Sequence, residues 1–376
     1  MDVNLPLPLL GGLSPRVFMR RHWQRKPLLI RQAVPDAGAL LDRPGLFALA
    51  AQQQVESRLV IGAVAATDTW KMRHGPFARR ALPALHRPGW TLLVQGVDLH
   101  LDAAHRFLNS FRFVPDARLD DVMVSYASDG GGVGPHFDSY DVFLLQLQGR
   151  RRWRIGRQKD LTLCEGMPLK ILRNFEPDQE YDLGPGDMLY LPPKYAHDGI
   201  AMGECMTLSV GFRAPARGEL AGELLQRLAQ DADEVVGAGL YRDPDQVAVG
   251  GAGAIPARLQ AFAREALEQM VHDPLVMLRA LGEYLTEPKA QVWFEPSQGH
   301  AWRDGALRLD RKTRMMHDAH HVFINGEAFR AGDRDAALMR HLADTRCLTV
   351  RDLARASVGA RELLHEWGKA GWLHAE

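Results

Sequence analysis

Gly130-Gly131-Gly132-Val133-Gly134-Pro135-His136-Phe137-Asp138 ends in a histidine and a carboxylate two residues apart. On a strand, side chains at i and i+2 point to the same face, about 7 Å apart along the chain, so both can lean onto one ion. The third ligand must then approach from another strand. His197 lies 61 residues on and follows Gly186-Asp187-Met188-Leu189-Tyr190-Leu191-Pro192-Pro193-Lys194-Tyr195-Ala196, a strand and turn able to deliver it. Two histidines and one carboxylate on one side of a metal leave three positions open, the facial triad of non-haem Fe(II) centres. His-x-Asp alone says little, because most such histidines are core or surface residues. Context is what counts here: glycines let the backbone approach the site closely, a strand follows, and the second histidine stands behind a Pro-Pro turn.

These ligands need strands to hold them. The runs at 91–96, 142–147, 187–193 and 206–211 are short, apolar and bounded by Gly or Pro, and 149–155 alternates as a further strand. Many short strands favour a barrel or double-sheet jelly roll. Helical patches precede them at 15–23 and 45–53. From 214 to 296 the pattern changes to a 3.6-residue period, with Leu220, Leu224, Leu225 and Leu228 on one face and a second helical run at 257–285. A helical segment of about 80 residues has a thin core alone, so it must pack on the barrel or on another copy of itself. The Gly/Ala-rich stretch 247–254 reads as a loop. From 297 to 376 come a strand at 322–324, the turn dipeptide Asn325-Gly326, and helices at 336–343, 350–356 and 360–369, a mixture that suggests a winged helix.

The constellation resembles the JmjC-type oxygenases of the cupin superfamily. In that family a basic residue on the strand after His-x-Asp grips the distal carboxylate of 2-oxoglutarate, in the pattern Gly-x-Lys-x-Trp. Gly149-Arg150-Arg151-Arg152-Trp153 matches it, with Arg151 in the lysine position. The planar fork of arginine suits a carboxylate. Arg150 and Arg152 should point the opposite way, as a solvated face. With the arginine, the sequence is similar to the bacterial ribosomal oxygenases, which hydroxylate an arginine of large-subunit ribosomal protein L-sixteen. The stretches that carry this are 131–143, 149–153, 189–193, 209–215 and 241–245, so the resemblance spans essentially the whole chain. Asp129 departs from it, standing where an apolar or Pro residue is expected.

The resemblance implies a mainly β fold with α: a JmjC double-stranded β-helix (jelly-roll cupin) at 1–213, a helical dimerisation region at 214–296 and a C-terminal winged helix at 297–376. It implies Fe(II) on His136, Asp138 and His197, and 2-oxoglutarate and O2 as cosubstrates. Arg151 and Ser125 would then hold the 2-oxoglutarate. It also implies a ribosomal protein substrate and a homodimer. For an arginine substrate the mouth should offer carboxylates and aromatic faces, with Tyr126, Asp129, Tyr140 and Asp141 as candidates.

Composition narrows the alternatives. Basic and acidic residues both number 46, which argues against general attachment to nucleic acid or anionic membrane, though a local patch can hide in a balanced total. Cys164, Cys205 and Cys347 are few, scattered and without a C-x-x-C pair, as expected of free thiols in a reducing cytoplasm. The N-terminus has no signal-peptide pattern, and no apolar run is long enough to span a membrane. Residues 297–376 carry 13 basic and 11 acidic residues, a poor footprint for a duplex reader, so no direct DNA binding is expected. Two competing readings remain: a metal-binding cupin without oxygenase activity, and an oxygenase acting on a histidine of another ribosomal protein. His317, His320 and His321 read as a solvated turn, Met315 and Met316 as core, and Trp23 as an N-terminal packing anchor.

Overall fold

The apolar runs become strands of one antiparallel sheet because both of its faces are buried. The structure, a computed structural model, describes residues 2–62, 70–296, 305–330 and 332–375. Contacts divide it into two units, Met1–Ala214 and Pro215–Glu376.

The first unit holds nine strands: β1 (Leu28–Ile30), β2 (Ser57–Ile61), β3 (Lys71–His74), β4 (Trp90–Val94), β5 (Leu119–Ala127), β6 (Val142–Arg157), β7 (Gln179–Leu183), β8 (Met188–Leu191) and β9 (Tyr195–Phe212). Their order is β1-β8-β6-β9-β5-β4-β2-β3, with β7 also on β6. β6 and β9 are the long central pair. Their register shifts on either side of Gln148, and such bulges bend a strand and change its twist. Gly149 makes the bend possible: its φ is +64°, and a Cβ there would lie 2.2 Å from the Glu204 carbonyl oxygen.

Alternation sorts the side chains of these strands. Leu92, Val124, Tyr126, Phe143, Leu145, Tyr190, Leu208 and Phe212 face one way, into the main core. That core is closed by α1 (Pro15–Arg21), α2 (Arg43–Ala50) and α3 (Asp102–Asn109), through Phe18, Leu46, Phe47 and Phe107 among others. Trp23 is the anchor expected of it, stacked on Tyr190 at 6.1 Å and edge-on to Phe212 at 5.0 Å. Val142, Leu144, Trp153, Ile155, Leu183, Leu189, Leu191 and Tyr195 face the other way, and Ala127, Ala201 and Cys205 form a small cluster of their own. With both faces covered, β4 is buried at all five positions and shows no polar alternation.

The second unit begins with α4 (Arg217–Gln230), α5 (Ala232–Val236), α6 (Ala257–His272) and α7 (Pro274–Thr286). The helical run expected at 257–285 is broken, because Pro274 has no N–H to continue α6. Asp273 caps α7 by accepting from the Leu275 N–H at 2.8 Å. The buried core of these helices is small, centred on Leu228, Met270 and Ala280.

Two three-stranded sheets follow. One has the order β14 (Cys347–Leu348), β10 (Leu307–Leu309), β15 (Leu373–Ala375); the other runs β11 (Met315–His317), β12 (Val322–Ile324), β13 (Glu327–Phe329). Asn325 and Gly326 have positive φ and close the β12–β13 hairpin, as an Asn-Gly turn requires. α8 (Asp333–Thr345), α9 (Val350–Leu353) and α10 (Val358–Lys369) complete the module around Leu307, Met339, Leu364 and Trp367. α9 is shorter than the helix expected at 350–356. α7 belongs to this packing too: Thr286 accepts the Gly326 N–H at 3.1 Å, and Gly282 lies against the Phe323 ring. The histidine cluster corrects one expectation. His321 is buried, 3.4 Å from Asp318, whereas His317 and His320 are exposed. Residues 297–304, the start of the expected winged helix, lie outside the described residues.

Candidate metal centre

The structure brings His136, Asp138 and His197 together, each offering a ligand atom within 4.8 Å of the others. The route differs from expectation at one point. His-x-Asp is not on a strand but in the loop between β5 and β6, where His136 alone forms a bridge to His197. Their backbones exchange two hydrogen bonds, at 3.0 and 2.8 Å. This pairing needs the glycines before it. Gly130 and Gly131 bond to Ala201 on β9, and a Cβ on Gly132 would lie 2.6 Å from the Gly199 carbonyl oxygen. Only a residue without a side chain lets the loop run so close. Downstream, the Asp138 carbonyl accepts the Lys194 N–H at 2.7 Å. Lys194 has positive φ and Tyr195 N–H bonds back to Pro192, so the Pro192-Pro193 turn holds Asp138 and delivers His197 together.

The ring hydrogen bonds orient both imidazoles. Nδ1 of His136 lies 2.9 Å from the Gly134 carbonyl, and Nδ1 of His197 lies 3.0 Å from that of Tyr195. A carbonyl only accepts, so each Nδ1 carries the proton and each Nε2 keeps its lone pair for a metal. Nε2 of His197 stands 3.6 Å from the Asp138 carboxylate. Burial, then the charge of His136, pushes the His197 imidazole well below the usual histidine range, against the pull of Asp138. The fold therefore favours the neutral, ligating form.

Arg151 sits on the same face of the sheet. It pairs with Ala201 across β9, and Ile155, four residues on, pairs with His197. Trp153 lies between them. Its ring is 5.8 Å from that of His197, and the Arg151 guanidinium lies 5.7 Å from the centre of the Trp153 ring. The motif thus has a local cause: residues at i, i+2 and i+4 of β6 form one row from guanidinium to ligand. Trp153 had no assigned role in the sequence, although its two-residue spacing from Arg151 was the available signal. Arg151 is only 4% exposed, and its Nε and Nη2 have no hydrogen-bond partner. Those two nitrogens form one edge of the guanidinium, the edge that meets a carboxylate side-on. A buried, unsatisfied cation is costly, and an anion seated against it would offset that cost. Two imidazole nitrogens, one carboxylate and this free edge fit a divalent metal with a dicarboxylate beside it.

Ser125 is buried on β5, and its hydroxyl lies 3.3 Å from the Thr207 carbonyl. It is Ala127, two residues on, that clusters with Ala201 beside the Arg151 row. Arg152 points away from Arg151 as expected, but it is not merely solvated: it binds Asp182 through two hydrogen bonds at 2.8 and 3.0 Å.

Three of the candidate mouth residues have structural work instead. Asp141 is fully buried and accepts from Tyr190 and Gln24. The Tyr126 hydroxyl bonds Glu204 on the opposite face from Ser125. Asp129 accepts the Gly203 N–H at 2.7 Å. Tyr140 remains 40% exposed. Partial burial, then the negative charge of Asp138, Asp121 and Asp120, raises its hydroxyl above the usual phenol range.

Comparison with known proteins agrees with this geometry. Residues 106–220 match the JmjC domain family model and residues 269–374 the ROXA-like winged helix. The chain is 33% identical over 341 residues to the ribosomal protein uL16 3-hydroxylase of Escherichia coli (strain K12), covering 87% of this chain and 89% of that protein. It is 37% identical over 207 residues to a probable ribosomal oxygenase of Haemophilus influenzae, covering 54% of this chain and 50% of that protein. A solved structure of the ribosomal oxygenase YcfD from Escherichia coli, in complex with cobalt and 2-oxoglutarate, superposes with a TM-score of 0.81 at 28% identity, covering 97% of this chain and 98% of that one. The chain belongs to the JmjC-domain ribosomal oxygenase family that carries a ROXA-like winged helix.

Proposed function

We propose that this chain is an Fe(II)- and 2-oxoglutarate-dependent hydroxylase acting on an arginine of ribosomal protein L-sixteen. The observation that carries the reading is the convergence of His136, Asp138 and His197 beside the unpartnered edge of Arg151. His136, Asp138 and His197 would hold the iron, and Arg151 would seat the distal carboxylate of 2-oxoglutarate. Ser125, on the same face, would contribute a weaker polar contact. Bound iron, with 2-oxoglutarate and dioxygen, supplies a two-electron oxidation that converts C–H to C–OH and releases succinate and carbon dioxide.

The protein's own share is positioning and shielding. Trp153 walls off one side of His197, and the carbonyls of Gly134 and Tyr195 hold both rings in the ligating tautomer. At the mouth, the exposed Tyr140 ring, two residues from Asp138, suits a substrate guanidinium.

The 214–296 region is assigned to dimerisation. Leu267 and Val271, one turn apart on α6, are 67% and 47% exposed, an apolar pair that a second copy would cover. The winged helix is not assigned to DNA, since the exposed face of α10 mixes Arg361 and Lys369 with Glu362 and Glu366. Among the described residues no helix is long and apolar enough to cross a membrane, and the protein is assigned to the cytoplasm, where its substrate class is made.

The test is anaerobic purification, then incubation with Fe(II), 2-oxoglutarate, air and an arginine peptide from L-sixteen, following succinate and a mass gain of about 16 Da. Gain on the arginine peptide, lost in His136→Ala, supports the reading. Gain only on a histidine peptide from another ribosomal protein changes the substrate. No succinate under any condition leaves a non-catalytic cupin.

A further inference from the structure

The chain is neutral overall, yet no acidic residue occurs between Asp2 and Asp36. Six basic residues lie in that stretch: Arg16, Arg20, Arg21, Arg25, Lys26 and Arg31. Arg31 is neutralised by Asp187 at 2.7 Å. The other five are exposed, and none has a carboxylate partner among the described residues. Arg16 reaches only the Asn4 side chain, and Arg25 only the carbonyls of Met19 and Trp23. Elsewhere on this unit Arg43, Arg112, Arg152 and Arg154 each have a carboxylate partner.

The fold concentrates these charges. Phe18 and Pro15 anchor α1 in the core, so Arg16, Arg20 and Arg21 stay on its exposed side. The N–H groups of Arg25 and Lys26 both bond the His22 carbonyl, which folds the two residues back against the end of α1. Arg157 then ties the patch to the sheet by donating to the Arg25 carbonyl at 2.7 Å. Arg157 pairs with Tyr195, two residues before His197, so the patch borders the strand ends that hold the metal site.

We infer that this surface binds the phosphate backbone of RNA. Arginine predominates, and its fork meets phosphate bidentately where lysine gives only a point charge. Pro15 and Phe18 of α1 are buried and Met19 packs against the core, which leaves little apolar surface to insert into a bilayer. The choice of RNA among polyanions rests on the function proposed above, since a ribosomal protein is met beside its RNA. The patch would dock the enzyme on RNA next to the substrate, through charge and without base readout.

The probe is a fluorescent single-stranded RNA of mixed sequence, titrated into the full-length, iron-free chain at 50 to 150 mM KCl. Five phosphate contacts at about 0.7 ions each give a log–log salt slope of about −3.5, so affinity falls about 50-fold across that range. The triple variant Arg20→Gln, Arg21→Gln, Lys26→Gln should flatten the slope to about −1.4, while its circular dichroism melt and its turnover of an isolated arginine peptide stay as in the parent. An unchanged slope and affinity in that variant overturns the inference. So does binding to phosphatidylglycerol vesicles without binding to RNA. The RNA titration needs no turnover, so failure of the hydroxylase assignment would appear in the peptide assay and leave this result readable.

Discussion

Arg151→Met removes a buried guanidinium and keeps an aliphatic stem over Trp153. In the protein without cosubstrate that cation is 4% exposed, and two of its nitrogens lack a hydrogen-bond partner. Replacing an unsatisfied buried charge by an apolar chain should therefore leave stability unchanged or raise it by about 1 kcal/mol. The loss should appear only with 2-oxoglutarate. The free edge can make two charge-assisted hydrogen bonds, each contributing about 1.5–3 kcal/mol. At the lower end the pair contributes about 3 kcal/mol, which is roughly a 100-fold rise in KM for 2-oxoglutarate. kcat at saturation should change only a few-fold, since the metal ligands are untouched. Arg151→Lys keeps the charge but not the fork, and should cost about tenfold. Succinate release against 2-oxoglutarate concentration gives the KM, and urea melts with and without 2-oxoglutarate give the linkage. At 100 times its Kd the cosubstrate should stabilise the parent by about 2.7 kcal/mol, and that gain should fall to about 0.4 kcal/mol in Arg151→Met at the same concentration. An unchanged KM would refute the assignment. So would a cosubstrate-free variant destabilised by several kcal/mol, because the guanidinium would then have a partner inside the protein.

Three further outcomes follow from the geometry. The fold holds the His197 imidazole below its ordinary value of 6.5, so its contribution to stability is fully present above that pH and is lost as pH falls through and below it. Metal-free urea melts should show stability declining from pH 7 to pH 5 by up to about 1.4 kcal/mol per unit for this one proton, a slope that His197→Gln removes. Gly132→Ala places a Cβ against the Gly199 carbonyl, and should cost about 1–3 kcal/mol while weakening Fe(II) binding measured by competition with a chelator; a Fe(II) affinity equal to the parent's would show that loop and strand are not so tightly coupled. Tyr190→Phe strips the hydroxyl that donates to buried Asp141 and accepts the Gln24 N–H. It should cost about 2–4 kcal/mol in a denaturant melt and leave KM and kcat within twofold, since Tyr190 faces the main core.

The site was legible from the chain to the extent that its chemistry is local. His136, Asp138 and the glycines before them lie within nine residues, and Arg151 and Trp153 within five. Spacing along a strand is enough to orient Arg151 and Trp153, and residue type and separation are enough to pick out His136 and Asp138. The turn at Asn325-Gly326 is local in the same way, through positive φ; the break at Pro274 is local too, through a missing N–H, but the apolar period continues across it and hid it. Partners far along the chain were not legible. Arg152 finds Asp182 thirty residues away because β7 lies on β6 in that register. Asp141 is drawn into the core by Tyr190 and Gln24, so a carboxylate that looked available at the mouth is occupied.

The sequence by itself determined the ligand types, their order, the basic residue behind them and the change from strand to helix near residue 214, because composition and periodicity are properties of neighbouring residues. Only the tertiary structure decided that His-x-Asp is carried by a loop, pinned to β9 by one bridge and a glycine-close approach. It alone decided that Arg151 is buried with its Nε and Nη2 left without a partner. Both outcomes depend on which strand lies beside which and in what register. That is set by the burial of two sheet faces at once, which no stretch of sequence specifies alone.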